Sequence, residues 1–206
     1  MSGGRVRVAA YVDGFNLYNG MHDARGRRGL WLDLESLLGS LLRDDQQLVA
    51  VHYFTALVQG PGQVRQQCYL DALHAHCRVT CCHIGRFQQK YYRCRQCGDR
   101  RISYEEKESD VSLAVQLVED TARDAFDHAL VVSGDSDMCP AIASARRLDP
   151  TKRLVAVFPP RRSSVVLERT VDGVVRIYDR APERHQLPNP VIAPDGTAFH
   201  RPAEWQ

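Results

Sequence analysis

Five short, β-branched apolar runs separated by helix-length stretches constrain this chain more than any other feature. They are "VRVAAYV" (6–12), "LVAVHYFTAL" (48–57), "RVTCCHI" (78–84), "HALVVS" (128–133) and "RLVAVF" (153–158). Each has the length of a buried strand rather than a helix. Between them, "LDLESLLGSLLRD" sets Leu34, Leu37, Leu38, Leu41 and Leu42 on one helical face, with Asp33 as its N-cap. "PGQVRQQCYLDALHAH" reads as a helix opened by proline, and "MCPAIASARRL" as another. From Ser109, Val111, Ala114, Val115 and Val118 fall at i, i+3, i+4 and i+7, with Leu113 and Leu117 widening the stripe. A short "VVRIY" closes the series. Strands alternating with helices predict an α/β fold: a mainly parallel central sheet of about five strands, with helices on both faces.

At 206 residues the chain suits one ordinary domain, residues 1–180, followed by a proline-rich, irregular segment over 181–206. Net charge is +2, so total charge argues neither for nor against a nucleic-acid partner; only its distribution can. No long apolar segment and no cleavage-site pattern opens the sequence, so neither a signal peptide nor a membrane span is expected. A cytoplasmic location follows, where the seven cysteines are expected as thiols or metal ligands rather than disulfides.

In open parallel sheets, sites form beyond the carboxyl ends of strands, where strand order reverses. Asp13 follows the first strand, and Asp135 and Asp137 follow the fourth in "SGDSD". If those strands are neighbours, the acids converge. Asp110 opens the helix after "EEKES", and Glu106 stands four residues earlier, sharing that face if the helix starts early. Like charges about 4 Å apart repel by about 4 kcal/mol at an effective dielectric near 20. Such a cluster needs protons or a cation, and all-oxygen ligands suit Mg2+ or Mn2+. A carboxylate-held Mg2+ serves in-line displacement at a phosphodiester. Taken singly, each aspartate is equally an ordinary turn or N-cap residue.

Residues 85–104 are polar, basic and aromatic without a clear period, and read as a loop insertion. Arg86, Lys90, Tyr91, Tyr92, Arg93 and Arg95 interleave cations with rings, a composition suited to single-stranded nucleic acid. Arg161 and Arg162, after the fifth strand, are further candidates for phosphate contacts. Cys94 and Cys97 form one C-x-x-C, half of a structural Zn2+ site. Cys77, Cys81, Cys82, His83, His74 and His76 upstream offer complementary ligands, and two reduced thiols in a loop is the alternative.

"YVDGFNLYNG", "EEKESDVSLAVQLVEDTARDAFDHALVVSGDSDMCPAI" and "VAVFPPRRSSVVL" together resemble the NYN-domain family, a branch of the PIN-like ribonucleases. The resemblance implies a three-layer PIN-like sandwich in which Asp13, Asp110, Asp135 and Asp137 are catalytic and hold Mg2+ or Mn2+. It implies that Asn16 and Ser133 support the loops, and that Lys107 balances charge or touches substrate. It further implies a metal-dependent ribonuclease whose partner is RNA. Two alternatives stand beside it: a non-catalytic nucleic-acid-binding module, and a nuclease of single-stranded or flapped DNA. A phosphotransferase is disfavoured, because "VDGF" lacks a second acid two residues beyond Asp13.

Overall fold

The computed structural model describes residues 4–93, 97 and 99–206, with the side chains of 87–93 and 100–107 left out. In chain order the elements are β1 (Val6–Asp13), α1 (Gly14–Arg25), α2 (Leu34–Gly39), β2 (Gln46–Ala56), α3 (Gly62–His76) and β3 (Thr80–Arg93). Then come β4 (Arg100–Lys107), α4 (Ser109–Ala122), β5 (His128–Val132), α5 (Cys139–Leu148), β6 (Arg153–Phe158), α6 (Val165–Thr170) and β7 (Gly173–Arg176). α7 (Ala181–Arg184), β8 (Val191–Ile192) and β9 (Ala198–Phe199) complete the chain.

The sheet has seven strands in the order β4-β3-β2-β1-β5-β6-β7, rather than about five. Every pairing is parallel except β3 with β4. β1 lies at the centre, with Val12 opposite Val132 of β5 and Asp13 opposite Phe54 of β2. From β1 the chain crosses outward to β2, and from β5 it crosses the other way to β6, so strand order reverses between β1 and β5.

Burial of both sheet faces explains why the strand sequences are apolar without alternation. Val8, Ala10 and Val12 pack in one layer with α1, α2 and α3, around Leu17, Leu34, Leu37, Leu38 and Leu73. Ala9 and Tyr11 point the opposite way, into a layer built from α4, α5 and α6 around Leu117, Phe126, Ile142 and Leu167. The result is a three-layer α/β sandwich. No helix among the described residues is long and apolar enough to cross a membrane.

Four expectations need correction. Residues 85–104, expected as a loop, contribute to a β-hairpin, with Arg86 opposite Lys107 and Arg93 opposite Arg100. The antiparallel ladder supplies the order that apolar periodicity did not signal. Glu106 therefore lies in β4, and α4 starts only at Ser109, so Glu106 is not one helical turn before Asp110. On α4 the buried apolar residues are Leu113 and Leu117, whereas Val111 and Val115 are 67% and 51% exposed. The helix is apolar over too wide an arc for spacing to choose its inward face. Finally, residues after 180 are not simply irregular. Leu187, Val191 and Trp205 enter the first core layer, and Trp31 Nε1 donates to Pro188 O at 2.9 Å.

Candidate active site at the carboxyl ends of β1 and β5

Asp13 ends β1 in extended conformation and caps α1: Asn16 N–H donates to its Oδ1 at 2.9 Å. Its other oxygen, Oδ2, accepts from Ser133 Oγ at 3.0 Å. Ser133 is fully buried, and its hydroxyl also accepts from Asp135 N–H at 3.0 Å. Asn16 reaches across in turn, its Oδ1 accepting from Gly134 N–H at 2.9 Å. Asp135 then accepts from Asp137 N–H at 3.0 Å, capping a single turn of 3-10 helix over Ser136–Met138. The turns after β1 and β5 are thus laced together by short polar side chains.

Asp110 enters from a different direction, in the first turn of α4. Glu108, just before it, holds φ +83°, a left-handed conformation rare outside glycine. Ser109 between them is buried, and its Oγ has no hydrogen-bond partner among the described residues.

Burial and neighbouring charge both act on these acids. Burial pushes the Asp13 carboxyl above the usual carboxylate range, and the charges of Asp110 and Asp135 push it further. The hydrogen bonds from Asn16 and Ser133 act against that rise. Asp110 is raised as well, by lost hydration first and then by the charges of Asp135 and Asp137. None of the four aspartates is ion-paired with a described residue. The cluster carries mutually repelling negative charge that no cation among the described side chains pairs with. That donor chemistry, carboxylate only, fits a hard divalent cation. Among the described residues, no three histidine, cysteine or acidic side chains already enclose an ion position.

The other sequence candidates separate into three groups. Arg161 and Arg162 lie beyond β6 at the same sheet end, where Arg162 packs over Gly134. Both are engaged: Arg161 Nη2 with Asp179 at 2.6 Å, and Arg162 Nη2 with Asp23 at 2.6 Å. Arg86, at the base of the hairpin, is 83% exposed at its side chain and lies 3.4 Å from Glu108. The side chains of Lys90, Tyr91, Tyr92, Arg93, Glu106 and Lys107, and all of Cys94 and Arg95, lie outside the described residues. Cys97 is exposed.

Of the upstream thiols offered as complementary ligands, Cys81 is exposed and two are partly buried. Cys77 and Cys82 pack against the apolar core, and burial pushes their thiols up to about 12 and about 11. His83 is committed to a stack on Phe54, with centroids 4.5 Å apart, and to a hydrogen bond with His52 at 3.0 Å.

Two features gave no usable signal in the sequence. One is a buried polar chain: Tyr11 donates to Asp120 Oδ2 at 2.8 Å, His52 Nε2 lies 3.3 Å from the same oxygen, and His83 follows. Its members come from four separate elements, so only topology could join them. The other is an aromatic cavity beside α1, beginning at Gly14 and Phe15, the residues that follow Asp13.

Comparison with known proteins agrees with this architecture. A crystal structure of a protein of unknown function from Vibrio parahaemolyticus superposes with a TM-score of 0.58 at 18% identity, covering 87% of this chain and 97% of that one. The chain is also 28% identical over 177 residues to 6-hydroxy-3-succinoylpyridine 3-monooxygenase HspA of Pseudomonas putida. That match covers 68% of this chain but 56% of the relative, so the chain spans little more than half of that protein's length. The NYN domain matches residues 7–177, from β1 through β7. The chain belongs to the NYN-domain family.

Proposed function

We propose that this protein is a metal-dependent nuclease that hydrolyses RNA phosphodiester bonds at the Asp13–Asp110–Asp135–Asp137 cluster. The observation that carries the reading is the gathering of acids from separate elements at the switch point, where burial first and neighbouring negative charge after it raise both Asp13 and Asp110. Asp13, Asp110 and Asp135 would hold Mg2+ or Mn2+, with Asp137 at the exposed rim. A bound divalent cation supplies an activated water and offsets charge on the phosphoryl oxygens.

The chain's own residues have distinct tasks. Ser133 and Asn16 fix Asp13 through one hydrogen bond to each carboxylate oxygen, which leaves a second lone pair on each for a ligand. Asp110 would bring a ligand oxygen from the first turn of α4. The proton of the attacking water would pass to solvent as the new oxygen–phosphorus bond forms, and the leaving oxygen would take one from solvent as its bond breaks. Arg161, Arg162 and Arg86 bind flanking phosphates by exchanging exposed carboxylate partners, since such surface pairs are worth only about 0–1 kcal/mol. The basic hairpin would extend that contact along the strand.

Cleavage of a mixed-sequence RNA with Mn2+ or Mg2+ tests the reading. Asp13→Asn and Asp135→Asn should each abolish product while the circular dichroism spectrum stays unchanged. Chelator-insensitive, salt-sensitive RNA binding with no product under any divalent ion would instead indicate a binding module. A second reading, oxygenation of a small heteroaromatic ring, draws on the name of the pseudomonad relative and on the aromatic cavity beside Asp13. Turnover of a hydroxypyridine with a supplied reductant, in the absence of RNA cleavage, would favour it.

A further inference from the structure

The cavity beside the acidic cluster is built from rings. Tyr18, Tyr53, Tyr69 and Trp205 line it, with Thr55 at its inner wall and Arg27 among the lining residues. Its volume is about 150 Å3. A cavity of about that volume accepts one benzene-sized ring. The walls are held before any ligand arrives. Tyr69 packs edge-on against Tyr53 and Trp205, at centroid distances of 6.5 and 6.0 Å, and its hydroxyl donates to Leu32 O at 2.9 Å. Trp205 is tied down in turn, because the neighbouring Glu204 pairs with Arg65 at 3.0 Å.

Polarity in the cavity is sparse and directed. Gln66 Nε2 donates to Thr55 Oγ1 at 3.2 Å and to Ala56 O at 3.0 Å, while Gln66 Oε1 accepts from Val58 N–H at 2.8 Å. The Thr55 hydroxyl therefore already accepts one bond, and its own proton has no acceptor among the described residues. It is a free donor at an apolar wall, the kind of group that a ring carbonyl can take up.

The cavity and the acidic cluster share one turn of chain. Gly14, the residue after Asp13, lines the cavity, and a β-carbon there would sit 2.6 Å from Phe54 O and 2.9 Å from the Tyr53 ring. Only glycine lets α1 approach β2 this closely. The turn after Asp13 therefore belongs to both the acidic cluster and the cavity.

We infer that this cavity seats one unpaired pyrimidine base of the nucleic-acid strand, stacked among Tyr18, Tyr53 and Trp205, with a ring carbonyl accepting from Thr55. The inference rests on the proposed placement of a phosphodiester at the aspartates. It adds a selectivity: a single ring fits, and a bicyclic purine overfills the space. Each base stacked on an aromatic is worth about 1–3 kcal/mol, enough to bias where a strand docks.

The test is a titration of the full chain, without divalent metal, with uridine, cytidine, adenosine and guanosine monophosphates, followed by tryptophan fluorescence. Of the two tryptophans, Trp205 lines the cavity and Trp31 does not, so loss of the signal in Trp205→Phe assigns it to the cavity wall. Saturable quenching by the pyrimidine nucleotides, at least tenfold weaker for the purines and lost in Trp205→Phe, is the expected result. Tyr18→Ala should weaken pyrimidine binding by about tenfold, and Thr55→Val should reduce it severalfold with the fold intact. Equal purine and pyrimidine binding, or no saturable signal, overturns the assignment. So does binding of a free hydroxypyridine with no response to pyrimidine nucleotides. A parallel cleavage assay on dinucleotide-permuted RNA with Mn2+ separates the two proposals. Cleavage without base preference removes the pyrimidine cavity and leaves the nuclease, whereas pyrimidine binding without cleavage removes the nuclease and leaves the cavity.

Discussion

Ser133 connects Asp13 to Asp135: its one hydroxyl donates to the Asp13 carboxylate at 3.0 Å and accepts from the Asp135 backbone at 3.0 Å. Two acids that are 122 positions apart in sequence, one ending β1 and the other in the turn after β5, are thereby referred to a single buried oxygen. Removing it in Ser133→Ala leaves a buried carboxylate oxygen and a backbone N–H each short of a partner. A loss of about 1–3 kcal/mol in unfolding free energy is expected. Urea denaturation checks that figure. Cleavage should fall further than stability does, because the orientation of Asp13 goes with the hydroxyl.

Charge at the cluster gives a prediction with a definite sign. The folded state raises the Asp13 carboxyl above its ordinary value, so the folded protein holds that proton more tightly than the unfolded chain. Ionisation therefore costs stability at pH 7, and the cost disappears as pH falls through the raised folded value. Asp13→Asn should melt a few degrees higher than the parent at pH 7, the gap closing toward pH 4. Mn2+ should raise the midpoint of the parent and leave Asp13→Asn nearly unmoved. A variant that melts lower at pH 7 would mean that its capping bonds outweigh the repulsion.

The buried chain from Tyr11 to His83 predicts acid sensitivity of the opposite kind. Burial lowers both His52 and His83, although the charge of Asp120 acts against the fall in each case. The unfolded chain therefore binds these protons more tightly. The associated stability is full above the ordinary histidine value near 6.5 and is lost as pH drops from there toward the lowered folded values. Neutral His52, with its Nε2 proton toward Asp120, presents Nδ1 to accept from His83, and protonating Nδ1 breaks that bond. Denaturant midpoints between pH 7.5 and 5 should decline in the parent. They should decline less in His83→Phe, which keeps a ring against Phe54.

How much of this was legible in the sequence depends on what each signal was made of. The central strands were plain because they are buried on both faces and need no period to be seen. Asp13, Asp135 and Asp137 stood out because acids followed such runs, and the pairing of β1 with β5 is the contact on which their convergence depended. α1 carries no such signal, because its buried positions are Gly14, Leu17, Gly20 and Met21, where two glycines replace the apolar side chains that mark a helical stripe. The hairpin was hidden for a related reason, since its ladder is a backbone property that charged residues obscure. The Tyr11–Asp120–His52–His83 chain was illegible because no sequence window contains more than one of its members.

The left-handed residue ahead of Asp110 offers a stability test that leaves the carboxylates untouched. Glu108 at φ +83° pays a steric penalty of about 1–2 kcal/mol that glycine would not. Part of that gain is returned, because glycine loses more chain entropy on folding. The pair it makes with Arg86, at 3.4 Å and well exposed, contributes little. Glu108→Gly should therefore stabilise by about 0.5–1 kcal/mol in a denaturant titration.

The same geometry argues the reverse at Gly20, where α1 crosses the chain after β6. A β-carbon at Gly20 would lie 2.4 Å from Pro160 O, a backbone atom that cannot swing aside, and 3.1 Å from Pro159 Cβ. Relief requires α1 to lift from the 159–162 segment, which carries Arg162 and its contact with Asp23 on that same helix. Overpacking of this kind costs about 1–3 kcal/mol. Gly20→Ala should thus destabilise despite the better helix propensity of alanine, and it should weaken RNA binding in a salt-dependent manner by displacing Arg162. Alanine at position 20 that stabilised the protein would mean that α1 sits farther from this segment than described, and with it the floor of the acidic site.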